Sequence, residues 1–223
     1  MKKNFFLLHL FLLLSTACST YKVEGVSSVP SLDGQRLYLK VVDDDTVIDL
    51  DSCEIVHGSF CMKGEIDSVM LASLYLGGEM LMPFVLEKGK IKITIENKGL
   101  EAGGTYLNNQ LYDFIRQKND LEQRFADISH KQMQLIINGV SADDAERHIT
   151  QDTDTLVAEM NRLVADFVIV NSDNVLGLQI FTMYCQSFPR PVMTPTIREI
   201  IEKSSVSFIE TPFVKDYLQK AEK

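Results

Sequence analysis

Residues with the means to do chemistry come in three groups here, and spacing decides what each can be. The first is acidic: Asp43-Asp44-Asp45, followed by Asp49, Asp51 and Glu54. With Asp43 as the first residue of a calcium loop, Asp45, Asp51 and Glu54 would take ligand positions three, nine and twelve. Val47 then falls at position five, and Ile48 stands where such a loop needs glycine. The run therefore reads as a solvated turn entering a strand. The second group is four cysteines, at 18, 53, 61 and 185, with no C-x-x-C spacing to make a redox pair or a zinc knuckle. A two-residue turn at His57-Gly58 would pair Glu54 with Cys61 and Cys53 with Met62. Cys53 and Cys61 would then point to opposite faces, out of bridging geometry. One residue more or less in the turn would bring them to one face. Packed free thiols are expected, with Cys185 on a buried helix.

The third group is histidine. His57 belongs to a turn, and His130 and His148 to separate helices, with no i, i+4 pair and no co-ligands. No serine lies in a G-x-S-x-G elbow, and Ser172, Ser187 and Ser204 fall at helix edges, where capping accounts for them. Gly77-Gly78 and Gly103-Gly104 lack the spacings that cradle phosphate. No catalytic residue, metal ligand or cofactor-binding residue is expected, and no cofactor.

Chemistry of another kind is written into the first residues. Lys2 and Lys3 precede an apolar run from Phe5 to Leu14, and Ser15-Thr16-Ala17 lead directly into Cys18. Charged, apolar and small residues in that order form a secretory signal over residues 1–17. The run is shorter than the roughly 20 residues that span a bilayer. A cysteine straight after the small residues resembles a bacterial lipobox, which implies diacylglyceryl transfer to the Cys18 thiol and a new N-terminus there. Ser15 stands where a lipobox prefers Leu, and Leu14 lies one place earlier. Cleavage behind Ala17 by ordinary signal peptidase, releasing a soluble protein, is the alternative. Each acyl CH₂ buried adds about 0.8 kcal/mol of membrane affinity, so several chains anchor firmly.

The 223 residues carry a formal charge of −9; without Lys2 and Lys3, 20 basic residues face 31 acidic ones. Such a surface repels phosphate backbones, and no basic cluster is apparent along the sequence, so nucleic acid is excluded as a partner. With 45% hydrophobic residues the chain has material for a packed core.

The elements that must position these residues fall into two textures. Alternation runs through Gln35–Val41 and, without a fault, Lys90–Glu96, with further strands over Thr46–Ile55, Ser59–Glu65, Ser68–Leu76 and Met80–Leu86. Asp33-Gly34, His57-Gly58, Gly77-Gly78 and Lys88-Gly89 mark the turns between them. The fold class expected is α+β: an N-terminal antiparallel β-sandwich or open barrel of about seven strands over 18–98, then an all-helical domain over 105–223. Gly99 to Gly104 is the expected break. Leu107, Leu111, Phe114, Leu121, Phe125 and Ile128 form one helix face, and Ile149, Leu156, Met160, Leu163, Phe167 and Val170 another, predicting an antiparallel hairpin turned at Asn138-Gly139 and recapped by Ser141. A third, buried helix follows over Val175–Ser187. Thr194-Pro195 and Thr211-Pro212 each combine an N-cap oxygen with Pro at the first helical position.

Leu32-Asp33-Gly34, Leu37-Tyr38-Leu39, Leu50-Asp51-Ser52, Val56-His57-Gly58-Ser59-Phe60, Gly64 and Lys88-Gly89 together resemble the domain of unknown function numbered 4369. Asn108-Asn109 and Asn174-Val175-Leu176-Gly177 are similar to the helical segment that follows it in relatives. The resemblance implies a Bacteroidetes envelope protein in which a β-domain and a helical segment precede a thioredoxin-like domain. Where such relatives continue into a Trp-Cys-x-x-Cys motif, this chain reaches Lys223 with no Trp, so no catalytic residue carries over.

The expectation is a non-catalytic envelope lipoprotein acting as a binding or assembly module. It would be held to the membrane by the lipid on Cys18, with an envelope protein as possible partner, and would face the periplasm rather than the cell surface. The alternative is an accessory or truncated member of an envelope thiol–disulfide oxidoreductase system. Glycan binding ranks last, with Tyr38 and Tyr75 as its only support.

Overall fold

The computed structural model describes residues 19–43 and 46–221. Eight strands come first: β1 Ser19–Ser27, β2 Arg36–Asp43, β3 Thr46–Glu54, β4 Ser59–Ile66, β5 Met70–Leu76, β6 Glu79–Leu86, β7 Gly89–Glu96 and β8 Gly99–Gly103. They form two four-stranded sheets, ordered β4-β1-β7-β8 and β3-β2-β5-β6. This is the expected sandwich, with no closed barrel. Every pairing is antiparallel except β1 with β7, which run parallel with Tyr21 beside Gly89. The stretch Gly99 to Gly103, expected to break the strand pattern, is itself the eighth strand. Ala102, opposite Ile93, is its one buried residue. Small residues hide a strand because they supply no alternation to read.

Inward residues alternate as period two requires: Val23, Leu37, Leu39, Phe60, Leu74, Phe84, Ile91 and Ile93 are all buried. Two glycines on the β1–β4 ladder face aromatic rings directly across, Gly25 opposite Phe60 and Gly64 opposite Tyr21. A Cβ on Gly25 would lie 1.9 Å from the Phe60 ring, so that ring occupies the space the glycine leaves. Turns sit where glycine or its dipeptides promised. His57 (φ 50°) and Gly58 (φ 68°) make the two-residue hairpin turn, whose paired positive φ values suit the right-handed strand twist.

Six helices follow: α1 Tyr106–Ile137, α2 Ala142–Val170, α3 Val175–Gln186, α4 Pro195–Lys203, α5 Val206–Ile209 and α6 Pro212–Ala221. α1 and α2 form the expected antiparallel hairpin, turned at Gly139 (φ 86°). The hydroxyl of Ser141 accepts from Asp144 N at 3.2 Å, and that of Thr194 from Ile197 N at 3.1 Å. The single turn α5, capped by Ser205, is too short to leave a periodic pattern. α3 packs tightly against the loop before it, because a Cβ on Gly177 would meet the Asn171 carbonyl oxygen at 2.3 Å. That contact gives Asn174-Val175-Leu176-Gly177 its physical meaning. One hydrophobic core runs from Tyr21 to Tyr217 across sandwich and helices. No helix among the described residues is long and apolar enough to cross a membrane.

Candidate functional site

The acidic run becomes the β2–β3 hairpin. Along β3 the carboxylates are engaged locally: Asp49 pairs with Lys40 at 2.9 Å, and Asp51 Oδ1 accepts from Ser52 N at 2.7 Å. Asp44 and Asp45 lie outside the described residues. A bulge leaves Leu50 without a partner, since Leu39 faces Asp51 and Lys40 faces Asp49. That one-residue shift turns Asp51 toward the interior edge, where its charge, after burial, raises the Tyr21 hydroxyl above its usual range. Among the described residues no three His, Cys, Asp or Glu side chains gather as a metal site would require.

The thiols of Cys53, Cys61 and Cys185 are all free. Val56 bridges Ser59 as the turn demands, but beyond that bridge the hairpin splits, β3 joining one sheet and β4 the other. Cys53, opposite buried Leu37, is half-buried against the core; Cys61, opposite Glu24, is exposed on the outer face of the other sheet. The expectation of packed thiols needs correction for Cys61, which stands in solvent. Burial raises the Cys53 thiol and pushes Cys185 up to about 12, so both are poor nucleophiles at neutral pH. His57 is an exposed turn residue, and His130 and His148 are exposed on α1 and α2. Ser172 bonds the Ser205 backbone nitrogen at 3.2 Å, and Ser187 bonds the Tyr184 carbonyl at 2.7 Å, so both act as local ties. Cys18 and the segment 1–17 lie outside the described residues.

Tyr38 and Tyr75 stand directly opposite each other on the outer face of the second sheet. The Lys40 ammonium lies 5.6 Å from one ring centroid and 5.1 Å from the other, and Asp49 holds it there. A cation occupies the ring faces that a sugar would need.

Two further features come from the helices. An open groove of about 1690 Å³ runs between α1 and α2. Its four arginines are paired: Arg116 with Glu101 and Asp113, Arg124 with Glu159, Arg147 with Asp144, and Arg162 with Asp166. Such a groove offers shape and mixed polarity but no concentrated charge. Beyond it the tip of the hairpin exposes Met133 (63%), Ile136 (47%) and Ile137 (75%). Val170, expected on the core stripe of α2, is exposed instead.

At the seam between sandwich and helices, polar ties add to the shared hydrophobic core. Asn108, fully buried, copies a strand neighbour: its amide donates to Val85 O at 2.7 Å and accepts from Val85 N at 2.9 Å, covering the free edge of β6. Glu87 accepts from the backbone nitrogens of Leu107 and Asn108, capping the first turn of α1 from outside the helix. Tyr112 adds a bond to Pro83 O at 2.8 Å. The Asn108-Asn109 dipeptide was visible in the sequence, but its partner on β6 was not.

A comparison with curated proteins finds no match. The model of the family described as Domain of unknown function (DUF4369) matches residues 21–111. That span begins in β1, takes in both sheets and ends in α1 just past Asn108, so the matched unit includes the seam. Residues 21–111 are therefore similar to that family.

Proposed function

We propose that this chain is a lipid-anchored envelope protein that works by holding a partner, not by turning over a substrate. The observation that carries this reading is the arm made by the outer halves of α1 and α2. α1 starts beside Gly89, where β1 also begins, and runs along β6 past Asn108 and Tyr112. At 1.5 Å per residue, its 32 residues reach about 48 Å, against about 26 Å for an eight-residue strand. The hairpin therefore carries its apolar tip beyond the end of the sandwich opposite the start of β1. A tip of Met and Ile, with Met able to repack against varied shapes, suits a protein partner.

A photo-crosslinking residue at Ile137, in cells making the full chain, should capture a discrete envelope protein, while the same group at Gly139 captures less and at Val56 none. A hydrolase, transferase or redox activity of the purified protein that a point substitution abolished would reject the reading.

The second reading, an accessory of a thiol–disulfide system, draws on one observation: Cys61 is exposed. Alkylation at pH 8 should modify Cys61 in the native protein, Cys53 more slowly, and Cys185 about a thousandfold more slowly than an ordinary thiol, since each pKa unit removes a factor of ten in thiolate. A mixed disulfide trapped through Cys61 would favour this second reading over the first.

A further inference from the structure

Each sheet has two edges, and an edge is a row of backbone N–H and C=O groups open to another strand. One sheet ends in β4 and β8, the other in β3 and β6. α1 closes one side of the sandwich: it lies against both β6 and β8, and Asn108 stands in as the missing neighbour of β6. The other side carries β3 and β4. β4 keeps Phe60, Met62 and Ile66 buried and turns Lys63 and Glu65 outward, so its edge offers no apolar surface.

β3 differs. It is nine residues long, and its first five, Thr46 to Leu50, are all exposed. Val47 (53%), Ile48 (38%) and Leu50 (43%) stand among them. Ile48 lies opposite Val41 and Val47 opposite Val42, so apolar surface is open on both faces of the strand. The edge holds neither Lys nor Pro, the residues that most often blunt a free edge. At 3.4 Å per residue, the open strip is about 17 Å long.

Charge decides what such a strip can take. From Asp43 to Glu54 the sequence holds six carboxylates and no Lys or Arg. The bulge at Leu50, with Asp49 and Asp51 on either side, keeps the edge from copying itself. Two β3 strands laid side by side would set these acids against each other. The other open edge of the chain is no complement either, because Lys63 on β4 is answered by Glu65 on the same face. A strand of opposite charge from elsewhere meets no such obstacle.

We propose that the open half of β3 takes an extended segment of another protein as a fifth strand of its sheet, a segment in which apolar residues alternate with Lys or Arg. Main-chain bonds along Thr46–Leu50 hold the segment, its apolar residues lie beside Ile48, and its basic residues meet Asp49 on the opposite face. The strip is separate from the α1–α2 tip and adds a second surface to the partner-holding reading above.

Hydrogen exchange on the full chain tests this, with short peptides alternating Lys with Val, or Glu with Val, as probes. The Lys–Val peptide, at about ten times its Kd, should slow exchange across Thr46–Leu50 about tenfold and leave β4 unchanged. The Glu–Val peptide should do nothing. Val47→Lys, an exposed substitution that should leave Tm unchanged, should abolish the slowing. No slowing in β3 up to the solubility limit of the Lys–Val peptide, or equal slowing by the Glu–Val peptide, would overturn the proposal. Slowing in β3 that tracked protein concentration without peptide would also overturn it, by naming a second copy as the occupant. Crosslinking at Ile137 does not depend on any of these outcomes, so strip and tip fail separately.

Discussion

The sandwich and the outer arm are built from equally clear sequence periodicity, yet they bury very different amounts of it. In the sandwich, Leu37, Leu39, Leu74, Phe84, Ile91 and Ile93 are all but sealed from solvent. Between residues 122 and 155, of the side chains described, Ala145 alone is buried. Phe125, Ile128 and Ile149, the expected apolar stripe of the hairpin, stay half-exposed. Two helices packed only on each other shield one stripe each; two sheets with helices at their edge shield a volume. The first region resists change through close packing, and the second stays soluble through exposed charges such as Arg124–Glu159 and Lys131–Asp152. Periodicity states which face is apolar, and only the third layer decides how dry that face becomes.

The comparison can be broken most readily at its aromatic cores. Phe84→Ala should cost about 3–5 kcal/mol in urea unfolding, whereas Phe125→Ala in the arm should cost about 1 kcal/mol. Comparable losses at the two sites would mean that the arm is as tightly packed as the sandwich. At the seam, Asn108→Ala strips partners from both Val85 backbone groups inside the core and should cost about 2 kcal/mol. Asn108→Asp should cost more, because it buries a carboxylate against the Val85 carbonyl oxygen and the Glu87 carboxylate. Hydrogen exchange sharpens the contrast further, since the arm amides should exchange through local opening well before those of β1 and β7. The smallest effect belongs to Arg124→Ala. Although its guanidinium binds Glu159 with two bonds, at 2.6 and 3.1 Å, both groups are largely exposed, so the change should stay within about 0.5 kcal/mol.

Much of the fold was legible before any coordinates. Lys90–Glu96 alternates without a fault and is β7; Thr194-Pro195 promises a helix start and opens α4. Local signals of that kind need no knowledge of a partner. What stayed hidden depends on partners distant in sequence. The parallel pairing of β1 with β7, the split of the β3–β4 hairpin between two sheets, and the bulge that turns Asp51 inward all require register, which one strand does not contain. The same reason explains why the Tyr38–Tyr75 pair under Lys40 and the β6 partner of Asn108 went unseen.

The proposed function rests on a lipid at Cys18. Intact mass spectrometry of the protein purified from its native membranes tests this most directly. The expected product begins at Cys18 and carries the added mass of a diacylglyceryl group. A product that retained Met1, or that began at an unmodified Cys18, would contradict it.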